Sequence, residues 1–173
     1  MPLLDRSGWG EDPFARIETA DIEGLGHVLV PWPHLDEALS RRGGNQQLGV
    51  EIDNALRFDA LKPALDRVAL VSVVFPGFAD GRGFSLARLM RMDGFAGTLR
   101  ATGPLIADQL AEAFACGFDQ VEIPPAVAER QPLAHWQAAL ASISIGYQRG
   151  YGQSASILDQ RRAARLRELP NVG

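Results

Sequence analysis

The sequence predicts an α/β protein: a mostly parallel sheet built from βαβ units, as an open sheet or a partial barrel, preceded by an irregular N-terminal arm. Three observations predict it. Apolar runs suited to strands start near residues 48, 68, 98 and 120. Amphipathic stretches separate them, at the spacing of roughly 20–30 residues that parallel crossovers require. The run Val68–Phe75 is almost wholly apolar and carries Val71, Val73 and Val74, the pattern of a central strand covered on both faces. Four or five such strands are too few to close a standard eight-stranded βα barrel.

The elements follow in order. Residues 1–47 read as the irregular arm, because Gly8, Gly10, Pro13, Gly24, Gly26, Pro31 and Pro33 interrupt every run. Within it, Gly26–Pro31 reads as one short strand and Leu35–Ser40 as a turn or two of helix. Such a β-rich arm suits packing on the main domain or on a second subunit. Residues 48–150 form the α/β core. Leu48–Ile52 is its first strand, and Asp53 is placed to cap a helix through Leu56, Phe58, Leu61 and Leu65, shortened or kinked at Pro63. After Val68–Phe75, a glycine-broken turn leads to a helix starting near Phe84. Thr98–Thr102 is the next strand. Pro104 then falls in the first turn of a helix over Leu105–Phe114, which stops near Gly117. Gln120–Ile123 is a strand closed by Pro124 and Pro125. A helix over about 126–141 follows, and Ser142–Ile145 suits strand or helix. In the tail, 151–173, a helix over 157–169 is expected, with Arg161, Arg162, Arg165 and Arg167 on a solvated face. The whole makes one domain.

Composition bounds the function. At 173 residues, 46% hydrophobic and 22% charged, the chain is long enough to bury a core and ordinary for a globular protein. A net charge of −4 offers no global basic field, so no nucleic-acid partner is expected. No stretch approaches the length of a membrane span, and residues 1–10 lack the apolar centre of a signal peptide. With Cys116 as the lone cysteine there is neither an internal disulfide nor a multi-cysteine metal site, and a cytoplasmic location is expected. His27, His34 and His135 are isolated in sequence, so no metal pairing is read. Gly81–Leu86 begins like a dinucleotide fingerprint but lacks its third glycine, and Walker A and Gly-x-Ser-x-Gly motifs are missing. No cofactor is expected.

The candidate site is the segment Phe75–Arg91. Ligands of parallel sheets sit beyond the carboxyl ends of the strands. The loop Pro76–Gly83 lies at such an end, as does Thr102–Pro104. Ser85 and Arg88 share a helix face, three residues apart. Arg100 and Thr102 share one side of the neighbouring strand. Arg82, Ser85, Arg88, Arg100 and Thr102 therefore form the expected ligand-binding set for a small oxyanion, helped by free N–H groups at the helix start. Asp80 is the candidate general acid or base. In the plainer structural reading, Asp80 braces the turn and pairs with Arg82 or Arg88.

Gly77–Arg88, Gly97–Gly103, Asp108–Gln109 and Cys116–Asp119 occur in an order that resembles an uncharacterised bacterial domain family. Its members are labelled as oxidoreductases of sulfite reduction, from genes lying beside that of the sulfite reductase haemoprotein. The resemblance spans roughly 48–148. It implies an accessory role in assimilatory sulfur metabolism, with sulfite reductase, its electron donor or a small oxyanion as partner; a homodimer is compatible with it. The alternative is a small enzyme acting on an anionic substrate at the Asp80/Arg82/Ser85/Arg88 edge. No redox motif is visible in the residues themselves.

Overall fold

A computed structural model describes the backbone of residues 1–152 and the side chains of residues 1–143. The expected helix over 157–169 lies outside the described residues. The chain divides into two compact units, Met1–Leu140 and Ala141–Gly173. The first unit is mixed α/β, built on one curled, mostly parallel sheet of eight strands.

In chain order the strands are β1 (Leu3–Asp5), β2 (Gly8–Gly10), β3 (Ala15–Arg16), β4 (His27–Pro31), β5 (Gln47–Asp53), β6 (Leu70–Val74), β7 (Thr98–Thr102) and β8 (Gln120–Glu122). Their spatial order is β2-β1-β8-β7-β6-β5-β4-β3. Strands β3 to β8 pair in parallel, and β1 runs antiparallel to both β8 and β2.

The helices are α1 (Leu35–Arg41), α2 (Phe58–Leu61), α3 (Arg82–Met92), α4 (Leu110–Ala115), α5 (Pro125–Arg130) and α6 (Leu133–Gly152). Among the described residues, none is long and apolar enough to cross a membrane.

The first 47 residues, expected as an irregular, β-rich arm packed on the main domain or on a second subunit, enter the sheet itself. They contribute four strands, β1 and β2 on one flank of the sheet and β3 and β4 on the other. β1, β2 and β3, of two or three residues each, are too short to show a period of two, so no strand pattern marks them in the sequence.

The short link Glu11–Phe14 joins the two outermost strands. Flat, a sheet with seven strand spacings is roughly 34 Å wide. The five Cα steps from Gly10 to Ala15 span at most about 18 Å. The sheet therefore curls, and the link crosses the inside of the curl.

The two faces differ in chemistry. Val50, Ile52, Val71, Val73, Leu99, Ala101 and Val121 are at most 1% exposed and share one face. Each such Val, Leu or Ile contributes about 2 kcal/mol by leaving water. Phe75 belongs to this face by strand parity, and its ring meets Phe84 of α3 at 5.0 Å and Phe118 at 5.9 Å between centroids. Helix α3 therefore covers the apolar face. The other face carries Glu51, Ser72, Arg100 and Gln120 in one cross-strand row. Val68–Phe75 was expected to be a central strand covered on both faces, and Leu70, Val71, Ser72 and Val73 are fully buried; Ser72 is where its inner side turns polar.

Several helices start or break elsewhere than the sequence suggests. Asp53 does not cap a helix but accepts the Ala55 N–H at 2.7 Å in a tight turn. Helix α2 begins only at Phe58, and the chain tightens into a 3₁₀ stretch, Lys62–Arg67, at Pro63. Helix α3 starts two residues early, at Arg82. Pro104 stays in the loop before a 3₁₀ turn, Ala107–Gln109, that leads into α4. The helix expected over 126–141 is two helices, divided before Leu133, and Ser142–Ile145 is helical.

Candidate functional site

The segment after β6 is held rigidly. Phe75 donates its N–H to the Thr102 carbonyl at 2.8 Å. Gly103 has φ +116°, and a Cβ there would lie 2.2 Å from the Phe75 carbonyl oxygen. Only glycine lets the β7 exit pass this close. Asp80 then accepts Arg82 Nε–H at 2.9 Å and Arg82 Nη2–H at 2.6 Å. This fork, with the Arg82 backbone N–H behind it, holds the Asp80 carboxyl far below the usual carboxylate range. Asn54 helps to stabilise that charge, although among the described residues neither of its buried amide atoms finds a partner in hydrogen-bonding geometry. A carboxylate pinned in this way is a weak proton acceptor and holds no proton to donate near neutrality.

Ser85 and Arg88 both face solvent on α3. Arg88 lies beside Cys116, where burial pushes the thiol up and the Arg88 charge only partly offsets it. Cys116 is 2% exposed, an environment that suppresses the reactive thiolate.

Arg100 and Thr102 lie on the opposite side of the sheet. Arg100 alternates with Leu99 and Ala101, whose side is taken by the apolar core. Its guanidinium is wholly buried and forks onto Asp12, with Nη1 and Nη2 each 2.6 Å from a carboxylate oxygen. Glu122 stands 3.6 Å away. Thr102, 6% exposed, pairs in register with Glu122. The six expected residues therefore fall into two groups with the sheet between them, and Arg82 and Arg100 each hold a carboxylate of their own.

On the inner face the charges form a network that the sequence reading missed. Arg16 of β3 reaches Glu51 and Glu122, each at 2.8 Å. Asp12, Glu51 and Glu122 thus share Arg16 and Arg100, three carboxylates to two guanidiniums. Burial works against the charged form of Asp12, but the Arg100 fork brings its carboxyl below the ordinary value. Burial pushes the Glu51 carboxyl up, only partly countered by Arg16. Glu51 Oε2 is close to Arg16 but out of line for a hydrogen bond, and among the described residues no other partner reaches it. The available signal was an acid inside each of two apolar strands, Glu51 and Glu122. Asp12 and Arg16 carried none.

A cleft of about 370 Å³ opens at the carboxyl ends of β4, β5 and β6. Pro31, Trp32, Leu56 and Val74 wall it, and Glu51 and Asp53 supply its charge. This is where parallel sheets hold ligands. Among the described residues, no group of three or more His, Cys, Asp or Glu side chains is placed to hold a metal ion.

No curated protein matches the chain. The model of a family described as "Bacterial protein of unknown function (DUF934)" matches residues 49–158. That is more than half of the sequence, and the chain belongs to this family.

Proposed function

We propose that this member of the DUF934 family is an accessory protein of assimilatory sulfite reduction that docks on the sulfite reductase, or on its electron donor, through the outward face of α3. The ordered blocks from Gly77 to Asp119 support the sulfur-metabolism part of the reading. The docking part rests on one observation. Leu89 and Met92, three residues apart on α3, are 44% and 84% exposed beside Arg88, while Phe84, Ala87 and Met90 on the same helix are buried. Large apolar side chains presented together next to a cation suit an apolar patch ringed by acidic groups on another protein. The enzyme alternative has less support, since its acid/base, Asp80, is committed to Arg82.

Co-purification tests the reading. The tagged chain is expected to retain sulfite reductase or its electron donor, and Met92→Glu is expected to lose that retention without loss of folding. A tagged chain that captures neither protein, together with unchanged sulfite turnover in a strain lacking the gene, overturns it.

A further inference from the structure

We propose that the cleft at the carboxyl ends of β4, β5 and β6 binds a small organic cation, a protonated amine with a compact apolar body, whose ammonium group sits between Glu51 and Asp53. This site lies on the sheet's inner face and is independent of the docking role of α3.

Three features carry the inference. The first is place and size. The cleft lies beyond the ends of parallel strands, and its volume of about 370 Å³ is that of a small-ligand site. The second is charge. The inner network holds three carboxylates, Asp12, Glu51 and Glu122, against two guanidiniums, Arg16 and Arg100. Glu51 stands at the end of that network where the cleft opens; its Oε2 is buried against Arg16 at 2.8 Å, while a quarter of its side chain remains exposed. A cation beside the exposed part of Glu51 brings the count to parity. Asp53, exposed on the rim, adds attraction of the same sign. An anion would meet two carboxylates and is disfavoured. The third is the wall. Trp32, Leu56 and Val74 present apolar surface to the rest of the ligand, and an indole is the best aromatic neighbour for a cation.

Benzylammonium, benzyl alcohol and benzoate share one shape and differ in charge, so titrating each into the full chain at fixed ionic strength, by calorimetry and tryptophan emission, tests the site. Benzylammonium is expected to bind saturably, and benzoate not at all. Glu51→Gln is expected to weaken benzylammonium by about ten-fold, the worth of one hydrogen bond to a charged group. Asp53→Asn, at an exposed position that leaves the fold intact, is expected to weaken it by about three-fold. Leu56→Trp, which fills the cleft and keeps its charges, is expected to remove binding. No saturable response to benzylammonium, benzoate binding as tightly, or unchanged affinity in both Asp53→Asn and Leu56→Trp overturns the proposal.

Discussion

Asp12 and Arg100, 88 residues apart in the chain, face each other through two hydrogen bonds of 2.6 Å, with the guanidinium shut off from water. The pair fastens the link between the two outermost strands to the middle of the sheet. Removing one partner strands a buried charge. Asp12→Ala is therefore expected to cost about 3 kcal/mol, the lower end of the range for breaking a buried pair because Asp12 is partly exposed. Urea unfolding of wild type and variant measures it.

Two of the three inner-face acids, Asp12 and Glu51, give opposite pH signatures. Asp12 titrates below its ordinary value when folded, so its stabilisation is present above the unfolded value and is lost as pH falls through the folded one. Glu51 titrates above its ordinary value, so its stabilisation is present below the unfolded value and is lost as pH rises through the folded one. Relative to wild type, Asp12→Asn should be most destabilised near neutrality and converge with it in acid. Glu51→Gln should improve relative to wild type as pH rises from about 4 toward neutrality. Unfolding free energies across pH 3–7 check both slopes, and parallel curves would remove the assignment.

Gly103→Ala is expected to destabilise by more than about 3 kcal/mol, beyond the ordinary cost of a point change. The new methyl meets the Phe75 carbonyl at 2.2 Å in a backbone conformation that L-residues rarely adopt. Gly10→Ala, where nothing lies within 4 Å, is the matched control and should be nearly neutral. Thermal unfolding of the two variants separates them.

Cys116 should resist thiol reagents in the native protein and react readily in denaturant. Burial lifts its thiol above the ordinary value, and only 2% of the residue is exposed. A fast native reaction, followed by absorbance of a released thiolate, would mean that the α4–β8 turn opens.

The parallel half of the sheet was legible because its strands are apolar and regularly spaced. β4, β5, β7 and β8 fall within a residue or two of the runs that announced them. β1, β2 and β3 were not, since each is pinned by partners distant in sequence rather than by its own residues. The candidate site was half legible. Asp80 and Arg82 are neighbours because the turn is local. Arg100 was correctly placed beside Thr102, but which side of the sheet α3 takes is decided by Phe75 stacking on Phe84, a contact that no pattern in β7 encodes. Glu51 and Glu122 were hidden inside apolar runs, and the Arg16 that gathers them lies in a two-residue strand.

The family match begins at residue 49, yet β5 hydrogen-bonds to β4 and β8 hydrogen-bonds to β1, both supplied from before that point. A fragment trimmed to the matched boundaries would bare two raw sheet margins, each a template for aggregation. It would also leave the Arg100 guanidinium without Asp12. Expression work on this protein therefore needs the leading segment as an integral stave of the barrel-like wall, not as a dispensable extension.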